Sequence, residues 1–425
     1  MTVQNTHSEQ LSHLESSLSE IYEKLKHENH NLDITRGKPA TDQVSLSDGL
    51  DGLLSGNFIT DSGIDTRNYG NLEGIPESRH LGGSIFDIPS NNVITSGNSS
   101  LTLMYFTLLM HYLYGKAGQI PWQNLQNPKF ICPVPGYDRH FSICENLNID
   151  MITVPMLETG PDMDIVEQML KDDEQIVGMW NVPKYSNPTG ITYSDKTVER
   201  IAKLANIAKP YFHVFWDNAY ALHTLEEHPQ QLANVWQLSK QFGTEDSIWQ
   251  FASTSKISFA GAGLSWVASS ETNLVSLKKL LGVTTIGADK VNQLRHVRMF
   301  PDLKTLESHM KKHAELIKEK FDIVSTTLKQ ELSEYGSWTD AKGGYFISFN
   351  AKPNLASKIV QMAFDAGLKL TPAGATFPYG KDPLDQNIRI APTYPSVEEL
   401  KKAMEIFVVC VKLATVRHQL NTPSS

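Results

Sequence analysis

Residues 175–220 read QIVGMWNVPKYSNPTGITYSDKTVERIAKLANIAKPYFHVFWDNAY. An apolar run, QIVGMWNVP, breaks at a turn rich in Pro, Asn and Gly; a helix-period segment, VERIAKLANIAK, follows; then a second apolar run, YFHVFWD, ends on a single acid, Asp217. Strand-length apolar runs separated by a helical pattern mark parallel strands joined by a crossover helix. The same alternation continues outward on both sides, through NNVITSG (91–97) and LTLMYFTLLMHYLYG (101–115), KFICPVPG (129–136), DMITVPM (150–156), SIWQFAS (247–253) and GLSWVASS (263–270). Seven strands therefore fit one large α/β domain with a mostly parallel sheet, assigned to residues 56–300.

Beyond Val291 the pattern changes. A long charge-laced helix is predicted over roughly Pro301–Glu334, then strands GGYFISFN, LKLTPAG and NIRIAP, then a last helix from Val397 to about Arg417, which together read as a smaller α+β domain over 301–425. At the other end Leu11, Leu14, Leu18, Ile21, Tyr22 and Leu25 recur at three- and four-residue steps, so residues 1–55 should supply an amphipathic helix that packs with the small domain. The tail QLNTPSS should fray, and no internal repeat is visible.

The chain has 425 residues, enough for two or three domains and a cleft between them. Its 38 Lys and Arg against 47 Asp and Glu argue against a nucleic-acid partner. Three cysteines without C-x-x-C spacing suggest neither disulfides nor a metal site, and point to a reducing compartment. With no apolar signal core and no run of 18 apolar residues, the expected location is the cytoplasm, without a membrane partner.

Several segments carry chemistry. In FASTSKISFAGAG (251–263) a lone lysine, Lys256, follows a strand among Ser253, Ser255 and small residues; a desolvated lysine loses its proton and attacks carbonyls, whereas an exposed strand-end lysine stays charged. In HVFWDNAY (213–220) Asp217 ends a strand, where open α/β sheets bind ligands, and Tyr220 lies three residues on; an N-cap aspartate is the plain alternative. Asn187 sits in the turn after QIVGMWNVP, and TSGNSSL (95–101) puts Asn98 and Ser99 at a helix N-terminus suited to an anion. PVPGYDRH (133–140) offers Tyr137 as a flat wall and His140 as a partner for Asp217, with a surface histidine the simpler reading, and NIRIAP (387–392) places Arg389 in an apolar strand, suited to a carboxylate or to a structural ion pair.

Taken in order, these segments resemble the class I pyridoxal-phosphate aminotransferases of fold type I, of the aspartate aminotransferase type. The intervals, 30 residues from Asn187 to Asp217, 39 to Lys256 and 133 to Arg389, look like that family's spacing, and the resemblance runs from TRGKP (35–39) to IRIAP (388–392). Wording such as YGNLEGIPESR, GNSSLTLM and TIGADKVNQLRHVR is similar to a divergent bacterial subgroup.

The resemblance implies pyridoxal 5'-phosphate as cofactor, with Lys256 its Schiff-base lysine and proton shuttle, Asp217 at the ring nitrogen, and Asn187 and Tyr220 at the ring's phenolic oxygen. It implies Tyr137 on the ring face, and Asn98, Ser99 and Ser253 on the phosphate, with Tyr69 reaching across from the second subunit of a homodimer. Arg389 and the backbone at Gly37 would hold the substrate α-carboxylate, and among Arg36, Arg295 and Arg298 the expectation for a side-chain carboxylate is Arg295. The activity implied is transfer of an amino group from L-aspartate to 2-oxoglutarate. Alternatives are an aminotransferase of aromatic or other preference, a lyase or decarboxylase, and a noncatalytic regulator. One departure stands out: the family's phosphate-binding arginine, about eight residues after the lysine, is replaced here by Leu264 and Ser265, which leaves Arg36, Lys290 or uncharged donors to hold the phosphate.

Overall fold

The computed structural model describes residues 2–116 and 118–421. Helix α1 (Thr2–His27) precedes the main sheet, whose strands are β1 (Val93–Ser96), β2 (Lys129–Val134), β3 (Asp150–Leu157), β4 (Gly160–Pro161), β5 (Ile176–Asn181), β6 (His213–Asp217), β7 (Ile248–Ser253) and β8 (Ser265–Ala268). Their spatial order is β1-β8-β7-β6-β5-β2-β3-β4. All seven expected strands are present, and the eighth, β4, is a two-residue return of β3 that its Gly-Pro wording hid. The run from β7 through β6, β5 and β2 to β3 is parallel, while β8 pairs antiparallel with both of its neighbours.

Strands β5 and β6 are buried along their whole length because both sheet faces are covered. On β6 the period of two sends Val214 and Trp216 into a layer with Ile201 and Val235. Phe215 points the other way, onto Leu103 and Leu108 of α2 (Ser100–Leu113). This alternation fixes the register of β6 and so sets Asp217 at its carboxyl end.

Helix α3 (Asp138–Asn146) follows β2, and α4 (Lys290–Met299) and α5 (Leu303–Glu331) follow β8. The last is capped by Asp302, whose Oδ1 accepts the Thr305 amide at 2.7 Å. A three-stranded antiparallel sheet follows, in the order β9 (Gly336–Trp338), β10 (Ile347–Ala351), β11 (Asn387–Ile390). LKLTPAG does not join it: only Leu368–Lys369 form a strand, and these pair in parallel with Leu32–Asp33. Phe349, Ile388 and residues of α5 and of α6 (Val397–Asn421) form one core with Leu18, Tyr22 and Leu25 of α1. The Tyr22 hydroxyl donates to the Met362 carbonyl at 3.1 Å, and Arg417 Nε to Glu15 Oε1 at 2.7 Å. Of the tail expected to fray, Gln419–Asn421 are helical and residues 422–425 lie outside the described residues. Among the described residues no helix is long and apolar enough to cross a membrane.

Candidate active site

The carboxyl ends of β2, β5, β6 and β7 deliver Tyr137, Asn187, Asp217 and Ser253 to one cavity of about 180 Å³, lined also by Ser99, Ser100, Val182, Tyr220, Ser255 and Lys256. This is the edge at which parallel sheets present ligand sites.

Asp217 is buried and uses its two oxygens differently. Oδ2 meets His140 Nε2 at 3.0 Å, so His140 is a buried partner and not the surface histidine of the simpler reading, and the imidazole is stacked on Trp180 with ring centroids 4.1 Å apart. Oδ1 is buried with no hydrogen-bond partner among the described residues. Lys256 retains some exposed area, but its ammonium is desolvated, and this holds its pKa below the usual lysine value; Asp217 pulls it up and Arg389 pushes it further down. The Lys256 ammonium lies 5.2 Å from the Tyr220 ring centroid and 5.9 Å from that of Tyr345. Burial, with Tyr137 and Asp217 close by, pushes the Tyr220 phenol well up, and burial beside Asp217 and Asp138 pushes Tyr137 up to about 12. Both phenols therefore stay protonated donors at neutral pH.

At the serine-lined end, Ser99 is the N-cap residue of α2 but makes no capping hydrogen bond with its side chain, and Ser253 Oγ lies 3.2 Å from Ser255 Oγ. Asn98 is exposed, with its Nδ2 donating to the Gly261 carbonyl at 3.3 Å and its carbonyl accepting from Ser255 Oγ at 2.8 Å. Among the described residues no arginine lines this cavity. Leu264 is buried, Ser265 Oγ donates to the Gly97 carbonyl at 2.7 Å, and Lys290 donates to the Gly70 carbonyl at 2.9 Å.

Arg389, 6% exposed, stands beside the cavity against Asn187, whose Oδ1 accepts from its Nη1 at 3.3 Å. Its guanidinium lies 4.9 Å from the Phe346 ring centroid. Gly37 closes on the same ring so tightly that a Cβ there would fall 2.5 Å from Phe346 Cζ, which accounts for the glycine. Tyr69 is 83% exposed and does not line the cavity, nor does Arg295, whose Nη2 donates to Asn292 Oδ1 at 2.8 Å and whose buried Nε has no partner among the described residues. Sequence reasoning missed Ser100 and Ser255 as cavity residues, and it missed Tyr345 and His223, which approach the Lys256 carbonyl at 3.4 and 3.3 Å. Only Ser100 and Ser255, which fall within TSGNSSL and FASTSKISFAGAG, carried a local signal.

The buried, unpartnered oxygen of Asp217, the desolvated Lys256 and the serine-rich helix start fit a planar, phosphorylated, nitrogen-containing aldehyde. Fold and site thus define a fold type I pyridoxal-phosphate enzyme. Comparison with known proteins agrees. A family model described as aspartate amino-transferase matches residues 6–422. The aspartate aminotransferase of Corynebacterium glutamicum is 40% identical over 425 residues, covering 99% of this chain and 98% of that one. The crystal structure of an aspartate transaminase from the same organism superposes with a TM-score of 0.93 at 40% identity, covering 96% of this chain and 97% of that one. LysN, an α-aminoadipate aminotransferase of Thermus thermophilus, shares the fold alone, at a TM-score of 0.73 and 17% identity over 92% of each chain. The chain belongs to the aspartate aminotransferase family, and it is a pyridoxal-phosphate-dependent aminotransferase.

Proposed function

We propose that the enzyme moves an amino group from L-aspartate to 2-oxoglutarate, giving oxaloacetate and glutamate. The observation that carries this reading is the meeting, at one cavity, of the desolvated Lys256, the unpartnered Asp217 oxygen and, through Asn187, the buried Arg389. When bound, pyridoxal phosphate supplies a carbonyl carbon for the amino group and a ring that accepts the electron pair left when Cα loses its proton. The chain supplies the rest. Asp217 Oδ1 keeps a proton on the ring nitrogen, Asn187 and Tyr220 donate to the phenolic oxygen, and Tyr137 walls the ring. Ser99, Ser253 and Asn98, with the first amides of α2, hold the phosphate. Lys256, whose hold on its own proton is weakened by desolvation, takes and returns the Cα proton. Arg389, Asn187 and the backbone at Gly37 hold the α-carboxylate so that the Cα–H bond is presented to the lysine.

The reading includes a homodimer in which Tyr69, a large exposed aromatic, reaches the partner's phosphate, and a side-chain carboxylate that falls to Arg295. Support for the donor comes from the aspartate aminotransferase relative at 40% identity. The test is product analysis with and without an oxo acid, repeated for Arg295→Ala. Beyond the one equivalent of oxaloacetate per site that aspartate alone releases, oxaloacetate and glutamate should accumulate only with 2-oxoglutarate present, and the variant should lose kcat/KM with aspartate at least about tenfold more than with alanine. Ammonia or alanine released from aspartate without an acceptor would make the enzyme a lyase or decarboxylase, and equal losses on both donors would remove Arg295 from the site.

A further inference from the structure

Arg389 is already engaged by a carboxylate of its own chain. Its Nη1 donates to Asp138 Oδ1 at 3.1 Å as well as to Asn187 Oδ1; its Nε meets Thr371 Oγ1 at 3.3 Å and its Nη2 the Thr35 carbonyl at 3.4 Å. Of these four acceptors only Asp138 brings a negative charge. The two side chains differ in exposure, 6% for Arg389 and 32% for Asp138, so one is fixed in the protein and the other stands at its surface. Asp138 is the first residue of α3 and directly follows Tyr137, whose ring lines the cavity. On its other side it borders an open cavity of about 530 Å³ with Phe141, Ser142, Glu145 and Phe377, and its Oδ2 lies 4.0 Å from Nε of the exposed Arg139.

A buried guanidinium without a counter-charge is costly, which explains why a carboxylate sits on it. Two carboxylates cannot share one Nη1 at no cost, because like charges at that distance repel. The geometry points to a definite consequence: Asp138 is an internal competitor of the substrate, holding the Arg389 Nη1 that the α-carboxylate takes, and on binding it releases Nη1 and turns toward Arg139. Substrate binding then exchanges one ion pair for another. A ligand with a carboxylate must drive the exchange, whereas an amine without one leaves Asp138 in place, so the residue lowers the affinity for carboxylate ligands and keeps the Arg389 charge paired while the site is empty. The inference rests on reading Arg389 as the residue that holds the α-carboxylate.

The experiment uses the holoenzyme and succinate, a dicarboxylate with no amino group to transfer, with binding followed by calorimetry. Asp138→Asn should bind succinate about tenfold more tightly than the wild type, the difference between displacing a charge-assisted and a neutral hydrogen bond. Asp138→Ser should shift affinity the same way, which guards against a local effect of the amide on α3. Arg389→Ala should lose binding in either background. Arg139→Ala should weaken succinate about twofold to fivefold in the wild type and not at all in Asp138→Asn; an equal effect in both backgrounds overturns the handover. Unchanged or weaker binding in the Asp138 variants, with loss in Arg389→Ala, overturns the competition and makes Asp138 a positioning residue while Arg389 keeps its role. Full binding in Arg389→Ala overturns the reading of Arg389 itself and the inference with it.

Discussion

Asp217 shows how one side chain acquires a function from unequal surroundings. Its Oδ2 is tied to His140, which the Trp180 ring keeps in plane, so the carboxylate cannot rotate to satisfy both oxygens within the chain. Oδ1 stays buried and unmatched among the described residues, an arrangement that costs about 1–3 kcal/mol unless a donor arrives. A protonated ring nitrogen is such a donor. Asp217→Asn keeps the shape and a hydrogen bond to His140 but removes the charge that holds that proton. Its kcat/KM should fall about 10²–10³-fold, the range for loss of one preorganised electrostatic partner, with cofactor still bound as read by absorbance. Activity within twofold of the wild type would show that the charge is not used.

At the scale of elements, much was legible because strand ends and short motifs are local. The seven main strands, the turn residues after them and the 30- and 39-residue intervals are written in hydrophobic period and spacing. The direction in which a helix turns a side chain depends on its neighbours instead. On α4, Asn292 and His296 are one turn apart and face the segment after Lys256: Asn292 Nδ2 donates to the Ala262 and Gly263 carbonyls, and His296 Nε2 lies 2.9 Å from Ser258 Oγ. Arg295, three residues after Asn292, spends its Nη2 on Asn292 Oδ1 and does not line the cavity, so its residue type was readable but the direction of its side chain was not. Tyr345 and His223 approach the Lys256 carbonyl across 89 and 33 residues of chain, a pairing that no local pattern encodes. The extension of LKLTPAG as a strand failed for a related reason, since strand propensity past Lys369 found no neighbour to pair with.

At the scale of the whole molecule, burial has left a set of histidines neutral. Desolvation lowers His111 well below its usual range, His213 and His223 to about 3 and His296 and His313 to about 4, and it also lowers His309. These groups take up protons in the unfolded chain from about pH 6.5 but resist them in the native one. Because the native pKa values are depressed, their contribution is complete above the unfolded value and is lost as pH falls toward the folded ones. The unfolding free energy from urea titrations should therefore drop between about pH 7 and about pH 5, before most carboxylates titrate, by about 1.4 kcal/mol per pH unit for each histidine that remains neutral, and the urea midpoint with it. A midpoint that stays flat over that window would mean that the histidines are not neutral in the fold.

The proposed activity depends above all on Lys256 and its cavity carrying the cofactor through a two-stage exchange of an amino group. The most direct measurement is the absorbance spectrum of the holoenzyme with L-aspartate alone, then with 2-oxoglutarate, run beside Lys256→Ala. The prediction is a band of lysine-bound cofactor that vanishes with aspartate and returns with 2-oxoglutarate, while the variant lacks that band and turns over at least about 10²-fold more slowly. A wild-type band untouched by aspartate, or a Lys256→Ala variant that cycles like the wild type, would contradict it.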